Sequence, residues 1–142
     1  MKTFLVLAAA ASVLMLAPPR ESLAQGATTQ AYGGRYNPHT VWTVSGEVIS
    51  VDKIDHGRRG YHGVHLTLRT AKGILSVHLG PSWFVDRQAI KVSPRDLIEV
   101  TGSPVIYRDK PALLAAEVKK GAERMQLRAP DGLPLWRASG PR

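Results

Sequence analysis

Residues 41–51 read VWTVSGEVISV, a run rich in β-branched residues with one glycine near its middle. This composition favours a β-strand. Apolar positions alternate regularly up to Val48, but Ile49 and Val51 have the opposite parity. One extra residue must therefore be absorbed between Gly46 and Ile49, and a β-bulge or glycine kink does this. The run predicts one long, bent first strand.

The next two apolar runs predict a hairpin. In residues 64–69 and again in residues 74–79 every second residue is apolar, which is typical of half-buried strands. The turn at 70–73 is tight, and both apolar faces must point into one core, so the register is determined. It places two polar pairs on the outer face, His65 opposite His78 and Thr67 opposite Ser76, with Arg69 beside them.

The remaining elements complete the predicted fold. Gly80-Pro81-Ser82 begins a short helix, since proline suits the first helical position. Residues 97–107 and 112–118 predict strands four and five, and residues 125–136 predict a final hairpin. The order of three strands, a short helix and two strands is typical of an all-β, five-stranded OB-fold barrel. We expect its core to include the aromatic residues Trp42, Trp83 and Phe84.

The N-terminus has the three parts of an export signal. Lys2 supplies the positive start, residues 4–17 are apolar or small, and small residues at Ser22 and Ala24 suit cleavage after Ala24. The apolar run is shorter than the roughly 20 residues that cross a bilayer. We therefore expect a periplasmic or secreted protein whose mature chain has no transmembrane segment. The predicted divisions are a signal peptide (1–24), a flexible lead-in (25–39), an OB-fold domain (40–136) and a tail (137–142).

Composition excludes several classes of function. The chain has no cysteine, so disulfides, thiolate metal sites, cysteine nucleophiles and covalent haem attachment are excluded. The formal net charge is +8, which favours anionic partners, although a solvated basic surface would look the same. A nucleophile with a base and an orienting group is not evident, and we expect no enzymatic activity.

The first functional hypothesis is a non-enzymatic binding module for a small ligand or a protein partner. Barrels of this type bind ligands through the second and third strands and the flanking loops. We expect the ligand to be an unknown protein or an anionic small molecule, and the protein to be a monomer or a weak oligomer. The candidate contact residues are His65, Thr67, Arg69, Ser76, His78, Arg58, Arg59 and Tyr61.

A second hypothesis is a transition-metal site at the His65 and His78 pair. Directly opposed strand positions have Cβ atoms about 4.5 to 5.5 Å apart, and imidazole suits Zn, Cu, Ni or Fe. A third ligand would come from the preceding loop, where His56, His62 and Asp55 are the candidates. The alternative is that the pair is solvated, its rings stacking on each other or on Arg69. No other cofactor is predicted.

Oligonucleotide binding is the third hypothesis, and the sequence disfavours it. Arg58, Arg59, Arg69 and Lys72 would contact phosphates, but single-strand binding also needs exposed aromatic rings for base stacking. Tyr61 alone is available for that role near the expected face. An exported protein also meets little nucleic acid.

The central part of the chain resembles a known family. Its segments GVHLTL (63–68), VHLGPSWF (77–84), DLIEVTGS (96–103) and KPALLAAEV (110–118), with LR (127–128) and GLPLW (132–136), are similar to the small exported OB-fold domain shared with the magnetosome proteins MamS and MamX. The resemblance implies this domain type and a periplasmic address. MamX also carries haem-attachment motifs, and this chain has none.

Overall fold

The computed structural model describes residues 36–56 and 62–139. Its strands are β1 (Trp42–Asp55), β2 (His62–Thr70), β3 (Gly73–Pro81), β4 (Leu97–Tyr107), β5 (Lys110–Lys120) and β6 (Glu123–Gln126). A helix, α1 (Ser82–Val85), follows β3, and short 3₁₀ turns occupy Pro38–Thr40 and Leu135–Arg137. The predicted signal peptide and the loop residues Arg58, Arg59 and Tyr61 lie outside the described residues.

The strands form one sheet whose first five members pair in a ring. The long β1 pairs antiparallel with both β2 and β4, β2 with β3, and β4 with β5. A parallel pairing of β3 with β5 joins the two arms of the sheet. The all-β prediction and the helix after the third strand are confirmed. Five strands form the ring, and β6 adds a short sixth strand to the sheet, antiparallel to β5.

The irregularity predicted in the first strand is present. The β1–β2 register shifts between Val48 and Ser50, so Ile49 is left exposed while Val48 is buried. The turn before β4 is bound to this point: Val48 N–H donates to Asp96 O at 2.9 Å, and Arg95 N–H donates to Val48 O at 2.7 Å. The bulge thus lets one strand bend while its backbone groups keep hydrogen-bond partners.

The inner face of the ring forms the main hydrophobic core. Its fully buried side chains alternate along the strands, as the apolar pattern requires; they include Val48, Leu66, Leu68, Val77, Leu79, Val100, Leu113 and Val118. Phe84 from α1 is buried and Trp83 packs against the same core. The prediction for Trp42 is wrong. It lies at the first position of β1, beyond the end of the core, and 38% of it is exposed.

Residues 36–40 cover part of the outer face. The Asn37 N–H donates to Ser103 Oγ at 3.1 Å, and the hydroxyls of Thr40 and Ser103 lie 3.2 Å apart. Tyr36 packs against a second, smaller apolar cluster of Val105, Ala112 and Leu114. The last residues of the predicted lead-in thus make backbone and side-chain contacts with β4. None of the helices in the described ranges combines the length and the apolarity needed to cross a membrane.

A histidine pocket as candidate functional site

His65 and His78 form a stacked pair, in the register that the hairpin predicts. The strands pair these residues directly, and their ring centroids are 3.7 Å apart with the planes only 8° from parallel. The alternative that the rings stack on each other is confirmed, but its expectation that they are solvated is wrong: His65 is 9% and His78 only 5% exposed. They are covered because β5 runs beside β3 and places Leu114 next to His78.

Tyr107 closes one side of the pair. Its ring stands perpendicular to both imidazoles, with centroids 4.7 Å from His78 and 5.7 Å from His65. Tyr107 precedes a two-residue turn in which Arg108 and Asp109 both have positive φ, 48° and 61°, as a type I′ hairpin requires. A non-glycine residue there is strained. The turn also places the Arg108 guanidinium 5.2 Å from the Tyr107 ring centre.

A pocket of about 190 Å³ opens beside the stacked pair, and we call it the histidine pocket. Four histidines contribute to its lining, together with an arginine and a tryptophan: His56, His62, His65, His78, Arg128 and Trp136. Backbone and apolar atoms from the ends of β2, β3 and the middle of β5 form the rest. His62 also lines the pocket, although its strand parity is opposite to that of His65; the register shift between Val64 and His65 leaves the extra residue, Leu79, in β3.

Gly63 provides the space where two imidazoles meet. A Cβ atom at Gly63 would lie 2.6 Å from His56 Nε2 and 3.4 Å from His65 Nε2. The two rings are tilted by 47°, with centroids 5.6 Å apart. A side chain at Gly63 would collide with the His56 ring, so the glycine allows this ring to approach β2 beside His65, where both rings line the pocket.

The C-terminal segment supplies another wall of the pocket. After β6 the chain bonds back to β5, with Leu127 N–H donating to Ala116 O at 2.7 Å. The Arg128 guanidinium then lies 5.0 Å from the Tyr36 ring centre and 5.1 Å from that of Trp136, and donates to Gly132 O. The Trp136 ring rests on Gly80, where a Cβ would approach it to 2.8 Å.

Sequence reasoning missed Arg128, Trp136 and Tyr107 as site residues. Each reaches the histidines only through tertiary folding, from segments distant in the chain. A signal was present at position 80, where a glycine interrupts an alternating strand pattern, since glycine in a strand often marks close approach by another group.

Burial holds both stacked imidazoles in the neutral form. It lowers the pKa of His65 to about 4, with His56 and Arg108 contributing and Asp52 opposing. Burial likewise lowers the pKa of His78 to about 3, assisted by the neighbouring His65 and His56. The Nε2 atom of His78 lies 3.1 Å from Ser76 Oγ. At neutral pH the pair therefore offers hydrogen-bonding nitrogens but no charge.

The stacked geometry bears on the predicted metal site. An imidazole nitrogen binds a metal in the plane of its ring, at about 2.0 to 2.1 Å for zinc. The planes of His65 and His78 are nearly parallel, so the two rings as they stand do not direct lone pairs at one ion. Within the described ranges, no group of three or more His, Cys, Asp or Glu is placed to hold a metal. The metal site stays a prediction.

The other predicted contact residues divide into two sets. Thr67 and Ser76 face each other beside the stacked pair, and Ser76 contacts His78 directly. Arg69 lies further along β2, opposite the exposed Ile74, and does not line the histidine pocket.

A larger groove of about 630 Å³ lies over β1, β4 and β5 but is open to solvent. Two of its charged groups already interact, since Lys119 lies 3.6 Å from Glu99. Such exposed pairs contribute little specific recognition. The histidine pocket, which is smaller and more enclosed, is the better candidate.

Comparison with known proteins identifies the family of the chain. A search of curated proteins finds no match. A family model described as the MamS/MamX magnetosome protein family matches residues 40–125, a range that includes β1 to β5 and both stacked histidines. Because this match covers more than half of the sequence, the chain belongs to the MamS/MamX magnetosome protein family.

Proposed function

We propose that the protein is an exported, non-enzymatic binding module that takes a small ligand in the histidine pocket. The ring of β1, β2, β3, β5 and β4, with a helix after β3, supports an OB-type barrel. The positive start and apolar run of residues 1–24 support export to the periplasm and cleavage after Ala24. Family membership supports the same domain type.

The observation that carries the proposal is the composition of the pocket. Four imidazoles, a guanidinium and an indole converge there from separate segments of the chain. The volume of about 190 Å³ equals that of about six water molecules, which is below the roughly 300 Å³ of a drug-sized site. The pocket therefore suits a small molecule better than a protein segment.

The lowered pKa of His78 argues against catalysis at the pocket. Ser76 and His78 lie within hydrogen-bond distance, which is the contact that a nucleophile and its base would need. A histidine whose pKa is lowered to about 3, however, is a weak base at neutral pH. This supports binding without turnover.

The test is a ligand titration in which the NMR signals of the pocket histidine rings and the Trp136 ring report binding. The probes are acetate, inorganic phosphate, ethylammonium, phenol and Zn(II), so that anionic, cationic, neutral and metal ligands are all represented. We expect saturable shifts with one of these classes. The variant Gly63→Ala, whose methyl group fills the space beside His56 and His65, should weaken that binding at least tenfold.

Gly73→Ala is the control for a glycine replaced outside the pocket, since a Cβ at Gly73 has no neighbour within 4 Å. Its φ of +119° adds backbone strain, so circular dichroism first establishes that both variants are folded. Binding that is equal in both variants would place the ligand elsewhere. Pocket signals that do not move with any probe would contradict the proposed function. A shift with Zn(II) alone, lost in His65→Ala and His78→Ala, would support the transition-metal alternative instead.

A further inference from the structure

The described lining of the histidine pocket carries a positive charge. Arg128 is the permanently charged residue of its lining, and no Asp or Glu is among the lining residues that the structure describes. Arg108 lies near His65 from the turn between β4 and β5, and its effect on His65 exceeds the opposing effect of Asp52. Asp55 pairs with His62 across β1 and β2 and is not among the lining residues. The pocket therefore favours a negative ligand.

Hydrogen-bonding groups in the pocket converge at one place. The Nε2 atoms of His56 and His65 both border the space left by Gly63. A neutral imidazole has one N–H donor, and the ligand selects which nitrogen carries it. With the proton on Nε2, each of these two rings carries one donor, and a guanidinium belongs to the same lining.

The apolar part of the lining strengthens these groups. Leu114 is buried beside His78, and the Trp136 ring covers Gly80. Apolar walls exclude water and lower the local dielectric, so hydrogen bonds to a charged acceptor become stronger. The Arg128 guanidinium is oriented by aromatic rings on Tyr36 and Trp136 and by its bond to Gly132 O, which reduces the entropy lost when it binds a ligand.

We infer that the ligand of the histidine pocket is a small oxyanion, such as a phosphate, sulfate or carboxylate group, bound by His56 Nε2, His65 Nε2 and the Arg128 guanidinium. This inference rests on the proposed function and adds the chemical class of the ligand. The pocket volume fits a free oxyanion or the anionic end of a larger molecule whose remainder stays outside.

Titration calorimetry of the full chain tests the inference. The probes are inorganic phosphate, sulfate, acetate and phenyl phosphate at 0.15 M NaCl, where long-range attraction to the basic chain is screened. The variants are His56→Ala and Arg128→Gln. Their matched controls are His39→Ala and Arg137→Gln, which alter an exposed histidine and an exposed arginine that do not line the pocket.

We expect one-to-one binding of at least one oxyanion, weakened tenfold or more in His56→Ala and Arg128→Gln and unchanged in both controls. If phenyl phosphate binds as tightly as inorganic phosphate, the ligand is the anionic end of a larger molecule. If only inorganic phosphate binds, the ligand is a free ion. Equal binding by all variants would overturn the inference, because it would reflect general attraction to a basic protein.

Failure of the oxyanion inference can be distinguished from failure of the proposed function. If phenol, ethylammonium or Zn(II) shifts the pocket signals and no oxyanion binds, the oxyanion inference is wrong and the pocket remains a ligand site. If no probe of any class reaches the pocket, both fail. Circular dichroism of Arg128→Gln establishes that the variant is folded, and His56→Ala, at an exposed position, provides the second measurement if it is not.

Discussion

Lowering the pH from 7 to 5 should destabilise the protein through its stacked histidines. Burial lowers the folded-state pKa of His65 to about 4 and that of His78 to about 3, whereas an unfolded histidine titrates near 6.5. Between these values the unfolded chain takes up two protons that the folded chain does not. Stability therefore falls as the pH drops below about 6.5, and the decline levels off below about pH 3, where the folded pair also becomes protonated.

The magnitude follows from proton linkage. A histidine that titrates at 6.5 when unfolded and stays neutral when folded loses about 1.8 kcal/mol between pH 7 and pH 5. Two such groups give about 3.6 kcal/mol. Solvent at the pocket mouth screens part of this effect, so we expect a combined loss of about 2 to 3 kcal/mol. That is a large share of the roughly 5 to 15 kcal/mol that stabilises a typical domain.

Urea unfolding at pH 7, 6 and 5, in a buffer without phosphate, measures this loss. In His78→Gln the difference between pH 7 and pH 5 should shrink to about half of the wild-type value, and in the double variant with His65→Gln it should nearly vanish. His39→Gln removes an exposed histidine and should leave the wild-type difference unchanged. If the double variant loses as much stability as the wild type over this range, the assignment of the pH dependence to the stacked pair is refuted.

Three further changes test the packing and the turns. Gly80→Ala would place a methyl group 2.8 Å from the Trp136 ring, at a residue whose φ is +143°, and should lower the free energy of unfolding by about 1 to 3 kcal/mol. Gly73→Ala, where φ is also positive but the space is open, should lower it less in the same urea assay. Replacing Arg108 and Asp109 by Asn and Gly relieves two positive-φ residues and should stabilise by about 0.5 to 1 kcal/mol, so a lower melting temperature would contradict the type I′ turn. Leu113→Ala, at a fully buried position, should cost about 2 to 5 kcal/mol, and a loss below 1 kcal/mol in urea would contradict its place in the core.

Much of the sheet was predictable because its signals are local. The alternation in β2 and β3, together with a tight turn between them, determines the register and hence the pairing of His65 with His78. The change of parity after Val48 predicted the irregularity in β1, and the structure has it between Val48 and Ser50. Each of these inferences depends on residues a few positions apart.

The site was only partly predictable because its walls come from distant segments. Alternation placed His65 and His78 on the outer face, which an isolated hairpin would expose to water. Tyr107 and the pairing of β5 with β3 bury them instead, and no periodic pattern encodes a contact between separate hairpins. Arg128 likewise reaches the pocket through the fold of the C-terminal segment.

The contact of Arg128 with Tyr36 and Trp136 has a consequence for the order of folding. It joins the first described segment of the chain to the last, so it forms only after the intervening hairpins have brought the two ends together. Contacts of such high sequence separation carry a large loop-closure entropy and form late. Local pairs such as β2 with β3 can assemble first, and the histidine pocket is completed at the end. On the proposed function, a ligand bound there would stabilise a late-forming feature, and we expect it to slow unfolding while leaving the folding rate nearly unchanged.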